Sequence, residues 1–104
     1  MIHYDKLVRD KITAVIESAG KTAVTDRIPP ENMQAALDRK LREEVGEYLE
    51  SHSAEEMADV LEVLHGIAFH AGIDWNQVEA ERLRKRGERG GFEEGIRLIE
   101  DREK

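Results

Sequence analysis

From Met33 to Ala71 the apolar residues of this chain fall into two runs with helical spacing, parted only by the polar positions around His52 and Ser53. At about 100° per residue, Met33, Leu37, Leu41, Val45, Tyr48 and Leu49 form one stripe. Met57, Val60, Leu61, Val63, Leu64, Ile67, Ala68 and Ala71 form a broader face in the second run. Two helices joined by so short a turn are expected to lie antiparallel, each supplying apolar surface for the other to bury. The hairpin also decides which charged side chains meet, because residues near the turn end of both helices come to the same end.

Two acidic pairs occupy that end: Glu44-x-x-Glu47 in "LREEVGEYLE" and Glu56-x-x-Asp59 in "AEEMADVLEV", with residues 48–55 between them. Spacing of i, i+3 puts both members of a pair on one side of a helix. Charged residues are 38% of the chain, so acidic pairs arise by accident; position on the helix separates these from their neighbours. Glu44 projects between Met33 and Leu37 inside the apolar stripe and Glu47 sits at its edge, while Glu43 points away. Glu56 falls in line with Val60, Val63 and Ile67, and Asp59 borders the same face beside Val63, whereas Glu55 and Glu62 look outward. A carboxylate in a core-facing stripe is expensive unless paired or metal-bound. Four of them brought together repel, and the cluster becomes stable when a hard divalent cation sits among the oxygens; Mg2+ is the one that usually also holds phosphates.

Local roles compete with that reading. "Ser53-Ala-Glu-Glu56" is also a capping box, in which Glu56 bonds back to the Ser53 amide. Lys40 stands four residues before Glu44 on the same side, so a helical ion pair would satisfy that carboxylate. For any one acidic residue the solvated or locally paired role is the simpler; all four together, on two facing stripes, favour the metal site.

Composition narrows the partners. With 104 residues and 39% apolar content the expectation is one domain, residues 1–104, with a modest core that an oligomer interface helps to complete. No run of about 18 apolar residues and no signal peptide is evident, which leads to a soluble, cytoplasmic protein with no membrane partner. The absence of cysteine removes disulfides, thiol catalysis and zinc-thiolate sites. A net charge of −7 argues against nucleic-acid binding, yet admits a small phosphorylated substrate where cations gather locally.

They gather near the two ends. "YDKLVRDKI" contributes Lys6, Arg9 and Lys11; "ERLRKRGERGGF" contributes Arg82, Arg84, Lys85, Arg86 and Arg89 around Gly87, Gly90 and Gly91. A basic helix end followed by glycines suits phosphate oxygens, although the same residues also complement a helix dipole and stop a helix. The remaining elements are expected as helix one from about Asp5 to Ala19, a loop at 21–29 with a short extended piece at 23–25, helix two from Pro30 to about Ser51, helix three from Ser53 to near Gly72, and helix four from Asp74 to Gly87–Gly90. The tail carrying Phe92, Ile96, Leu98 and Ile99 fits a short strand or a helix equally. His65 and His70 read as surface histidines, Trp75 as a packing anchor or a base-stacking platform, and Phe69 as a subunit contact.

The pattern Glu44-x-x-Glu47…Glu56-x-x-Asp59 resembles the metal signature of the MazG-like all-α nucleoside triphosphate pyrophosphohydrolases, a superfamily that includes phosphoribosyl-ATP pyrophosphohydrolase. "YDKLVRDKI", "EEMADVLEV" and "ERGGF", in that order, are similar to a small single-domain branch of it, although the spacer between the acidic pairs is shorter than in many members. The resemblance implies an all-α, four-helix MazG-like bundle with a central antiparallel hairpin, completed by a homodimer or homotetramer. It implies hydrolysis of a nucleotide between its α- and β-phosphates, with Glu44, Glu47, Glu56 and Asp59 holding Mg2+, or Mn2+ in its place, and housecleaning of the nucleotide pool as a role. Lys85 and Arg89, then Lys6 and Arg9, match the pattern as substrate-binding cations. Two alternatives remain open: phosphoribosyl-ATP hydrolysis in histidine biosynthesis, and a non-catalytic helical module that binds nucleotides or only dimerises.

Overall fold

The computed structural model describes residues 2 and 4–104, and among them the regular structure is helical throughout. α1 spans Ile12–Ser18, a 3-10 turn at Pro30–Asn32 runs directly into α2, Met33–Ser51, and α3 and α4 span Ala54–Ala71 and Trp75–Arg89. The chain divides into two compact units, Met1–Ile73 and Asp74–Lys104. No helix among the described residues is long and apolar enough to cross a membrane.

In the first unit α2 and α3 pack together as the expected hairpin. Pro30 opens the 3-10 turn, where its missing N–H costs nothing. α2 ends at His52, whose left-handed backbone (φ 54°) directs its N–H to the Tyr48 carbonyl at 2.7 Å. Ser53 then caps α3, its Oγ accepting from the Glu56 N–H at 3.2 Å. Gly72, at φ 71°, closes α3 in the left-handed conformation that glycine adopts without strain. Among the described residues, Leu37, Val63 and Ala68 are the buried apolar ones. Gly66 marks the close approach of the two helices: a Cβ there would lie 3.4 Å from Leu37 Cδ2.

Two expectations need correction. α1 begins at Ile12, not Asp5; residues 4–9 form no helix, and two of their side chains, Lys6 and Arg9, reach acidic residues of the hairpin instead. A short helix is marginal by itself, so tertiary ties decide its extent. The broad apolar face of α3 is also not core throughout. Val63 is buried, but Met57, Leu61 and Leu64 on its flank are exposed and line an open apolar groove with Ala54, Ala58 and Val60.

In the second unit, Asp74 caps α4 by accepting from the Asn76 N–H at 2.9 Å. Beyond Gly90, the tail forms one turn near Phe92 and is otherwise irregular, so it is neither strand nor helix.

Candidate metal centre

Glu44 enters the site from α2 and is only 7% exposed. Its Oε1 lies 3.1 Å from Lys40 Nζ one turn earlier, while its Oε2 is buried with no hydrogen-bond partner. Glu56 enters from the first turn of α3. Its backbone N–H is held by Ser53, but the reciprocal half of the capping box does not form, since the Ser53 N–H donates to Ser51 Oγ at 3.3 Å. The Glu56 carboxyl turns to the site, and its Oε2 too is buried and unpartnered. Asp59, one turn further along α3, is met by Arg9 Nη2 at 2.7 Å.

Glu44, Glu56 and Asp59 each bring a carboxylate oxygen within 4.8 Å of the others. Glu47 stands at the rim, exposed. The charge of Glu44 raises the Glu47 pKa above the ordinary carboxylate value, with burial, a hydrogen bond to Glu44 and the charge of Glu56 adding to it. Burial raises the Glu56 pKa, reinforced by the charges of Asp59 and Glu44 and partly offset by a hydrogen bond with Glu47. These are the electrostatics of carboxylates crowded without enough counter-charge.

Lys40 was visible in the sequence only as a helical partner for Glu44; its second bond goes to Glu43, at 3.3 Å. Burial works to lower the Lys40 pKa, but the hydrogen bond to Glu44 and the charge of Glu43 outweigh it, and the net shift is upward. Glu43, expected to point away, is half-buried and also takes Lys6 Nζ at 3.4 Å. Burial favours its protonated form, yet Lys40 and Lys6 prevail and the pKa falls. The i, i+3 pairing with Lys40 was the available signal; the long-range tie to Lys6 had none.

Of the expected phosphate-binding cations, Lys6 and Arg9 therefore stand on or beside the acidic cluster. Lys85 and Arg89 lie exposed on α4 in the second unit, where the charge of Lys85 helps to lower the Glu81 pKa. Their neighbours are committed: Arg82 to Glu79, Arg84 to Glu81 and Glu88, and Arg86 to Glu93. Trp75 is half-buried at the start of α4, and His70 is exposed against the Phe69 ring.

Searches against protein-family models, curated proteins and solved structures found no match to this chain. The donor set itself indicates the kind of ion. Three carboxylates with no nitrogen or sulfur select a hard cation. The two unpartnered buried oxygens, on Glu44 and Glu56, are the atoms that a bound cation would satisfy.

Proposed function

We propose that this protein is a Mg2+-dependent nucleotide pyrophosphohydrolase, which cleaves a nucleoside triphosphate between its α- and β-phosphates to give a monophosphate and pyrophosphate. The observation that carries the reading is the meeting of Glu44 and Glu56, each with a buried carboxylate oxygen that finds no hydrogen-bond partner, beside Asp59. Unpartnered buried carboxylate oxygens destabilise a fold, and a hairpin that assembles them makes physical sense around a ligand of opposite charge. Glu44, Glu56 and Asp59 would hold Mg2+, or Mn2+ in its place, with Glu47 at the rim.

A cation bound there supplies neutralisation of phosphate oxygens and acidification of a water. The side chains do the remainder. Lys40 fixes Glu44 through Oε1 and so leaves Oε2 for the site. Glu47, exposed and made more basic by Glu44, is suited to take the proton as the water oxygen bonds to the α-phosphorus. The bridging oxygen leaves with pyrophosphate, and its developing charge calls for cations; Lys6 and Arg9, which stand on or beside the acidic cluster, are the candidates. Without them, four carboxylates would repel a triphosphate. The resemblance of "YDKLVRDKI", "EEMADVLEV" and "ERGGF" to the MazG-like superfamily supports this reaction, and phosphoribosyl-ATP is the alternative nucleotide for the same chemistry.

A second copy of the chain is proposed to cover the groove of Met57, Leu61 and Leu64 and complete a bundle, since among the described residues only three apolar ones are buried. The rival reading is a non-catalytic helical module. The pairs Lys40–Glu44 and Arg9–Asp59 favour it, because they already give two of the three carboxylates a counter-ion.

Chromatographic product analysis with a panel of nucleoside triphosphates, with and without Mg2+, tests the proposal. Monophosphate plus pyrophosphate, formed only with metal, is the expected result. Diphosphate plus phosphate would mean the wrong bond, and no product from any nucleotide, phosphoribosyl-ATP included, would leave the non-catalytic module.

A further inference from the structure

Arg9 lies outside every helix, on the arm that precedes α1, yet it touches a candidate ligand: its Nη2 is 2.7 Å from Asp59 Oδ1. Among the described residues, no backbone hydrogen bond joins residues 4–9 to α2 or α3. Side chains tie the arm to the hairpin, through Arg9 and through Lys6 on Glu43. The two counter-ions of the carboxylate trio differ in kind. Lys40 and Glu44 are both largely buried, with side chains 16% and 9% exposed, and Lys40 is fixed one helical turn away. Arg9 and Asp59 are 59% and 34% exposed, on a segment with no helix to hold it. An ion pair that open to water is weak and exchanges readily.

We propose that Arg9 is the exchangeable counter-ion of this site: it occupies Asp59 in the cation-free protein, gives up that carboxylate when a divalent cation is bound by the trio, and then pairs with a phosphate of the ligand. The proposal rests on the metal-centre reading above. A guanidinium fits both halves of the role, since its planar fork binds carboxylate and phosphate oxygens alike. Arg9 thereby couples the two binding events. Metal first frees the arm, and the arm then contributes positive charge to a polyanion that the carboxylates alone would repel.

The test is isothermal titration of the full chain with MgCl2, and then of the Mg2+-saturated protein with inorganic pyrophosphate, for wild type, Arg9→Gln and Lys11→Gln. Lys11→Gln removes the same charge from the same arm without touching Asp59. Arg9→Gln is expected to bind Mg2+ about two- to fivefold more tightly than wild type, to exceed any effect of Lys11→Gln, and to bind pyrophosphate roughly tenfold more weakly. The opposite signs are the signature of exchange. Because residue 9 belongs to no helix, circular dichroism should be unchanged in the variant. If wild type takes up no Mg2+, the metal-centre reading falls and this proposal with it. If wild type binds Mg2+ but Arg9→Gln binds it no better than Lys11→Gln, the exchange is overturned while the metal centre stands. Tighter Mg2+ binding with unchanged pyrophosphate affinity would overturn the transfer of Arg9 to phosphate.

Discussion

If the carboxylate cluster binds a cation as proposed, Glu56 has opposite consequences for the cation-free and the cation-loaded protein. Its pKa is raised by burial and by Asp59 and Glu44, and that of Glu47 by Glu44. Well below the ordinary carboxylate value of 4.5, both groups are protonated in folded and unfolded chains alike. As pH rises through the raised values, the unfolded chain has already ionised while the folded one still holds protons, so stability falls with increasing pH. Glu43 has the opposite sign: its lowered pKa contributes stability above the ordinary carboxylate range, which is lost on acidification. Glu56→Gln should therefore raise Tm in EDTA at pH 7 relative to wild type, shrink the decline that sets in as pH rises above the ordinary carboxylate range, and abolish both Mg2+-induced stabilisation and turnover; thermal melts at several pH values, with and without Mg2+, check the first three and product analysis the last. Lys40→Met leaves Glu44 buried without its counter-ion. Chemical denaturation should show a loss on the order of 3 kcal/mol.

The hairpin of α2 and α3 is the element on which the site depends, and its packing is thin. Leu37 is 6% exposed and seats against Gly66. Leu37→Ala should cost about 2–4 kcal/mol in urea denaturation and weaken Mg2+ binding along with stability, because it loosens the register that sets Glu44 opposite Glu56. The local signals of this element were readable in order: Pro30 at the start, Ser53 as a cap, Gly72 as a stop. α1 was less readable, since Leu7 and Val8 continue a helical period that the chain does not follow. Arg9 and Lys6 find partners more than 35 positions away, and no local rule registers such a tie.

For the molecule as a whole, the exposed stripe of Met57, Leu61 and Leu64 is the feature that calls for a partner, at 55%, 48% and 38% exposure. Covering one such side chain contributes roughly 1–2 kcal/mol, and a two-fold contact counts each residue twice. Sedimentation velocity should find a dimer or larger species at micromolar concentration. Leu61→Glu should shift it to monomer and lower Tm. A wild-type chain that is monomeric at all concentrations would exclude the second copy as the occupant of this groove.

Helix content and the antiparallel hairpin follow from sequence, because a 3.6-residue apolar period, capping residues and a two-residue connection are local properties that constrain neighbours in space. So does the identity of the acidic cluster: Glu44, Glu56 and Asp59 were separable from Glu55 and Glu62 by their place on the apolar stripe. Only the tertiary structure decided the counter-ions. It turned Glu56 away from the Ser53 amide, set Glu47 at the rim, drew Glu43 inward between Lys40 and Lys6, and brought Arg9 to Asp59. Such choices depend on which charges remain unpaired once the hairpin has closed, a balance of burial against Coulomb attraction that no single segment contains.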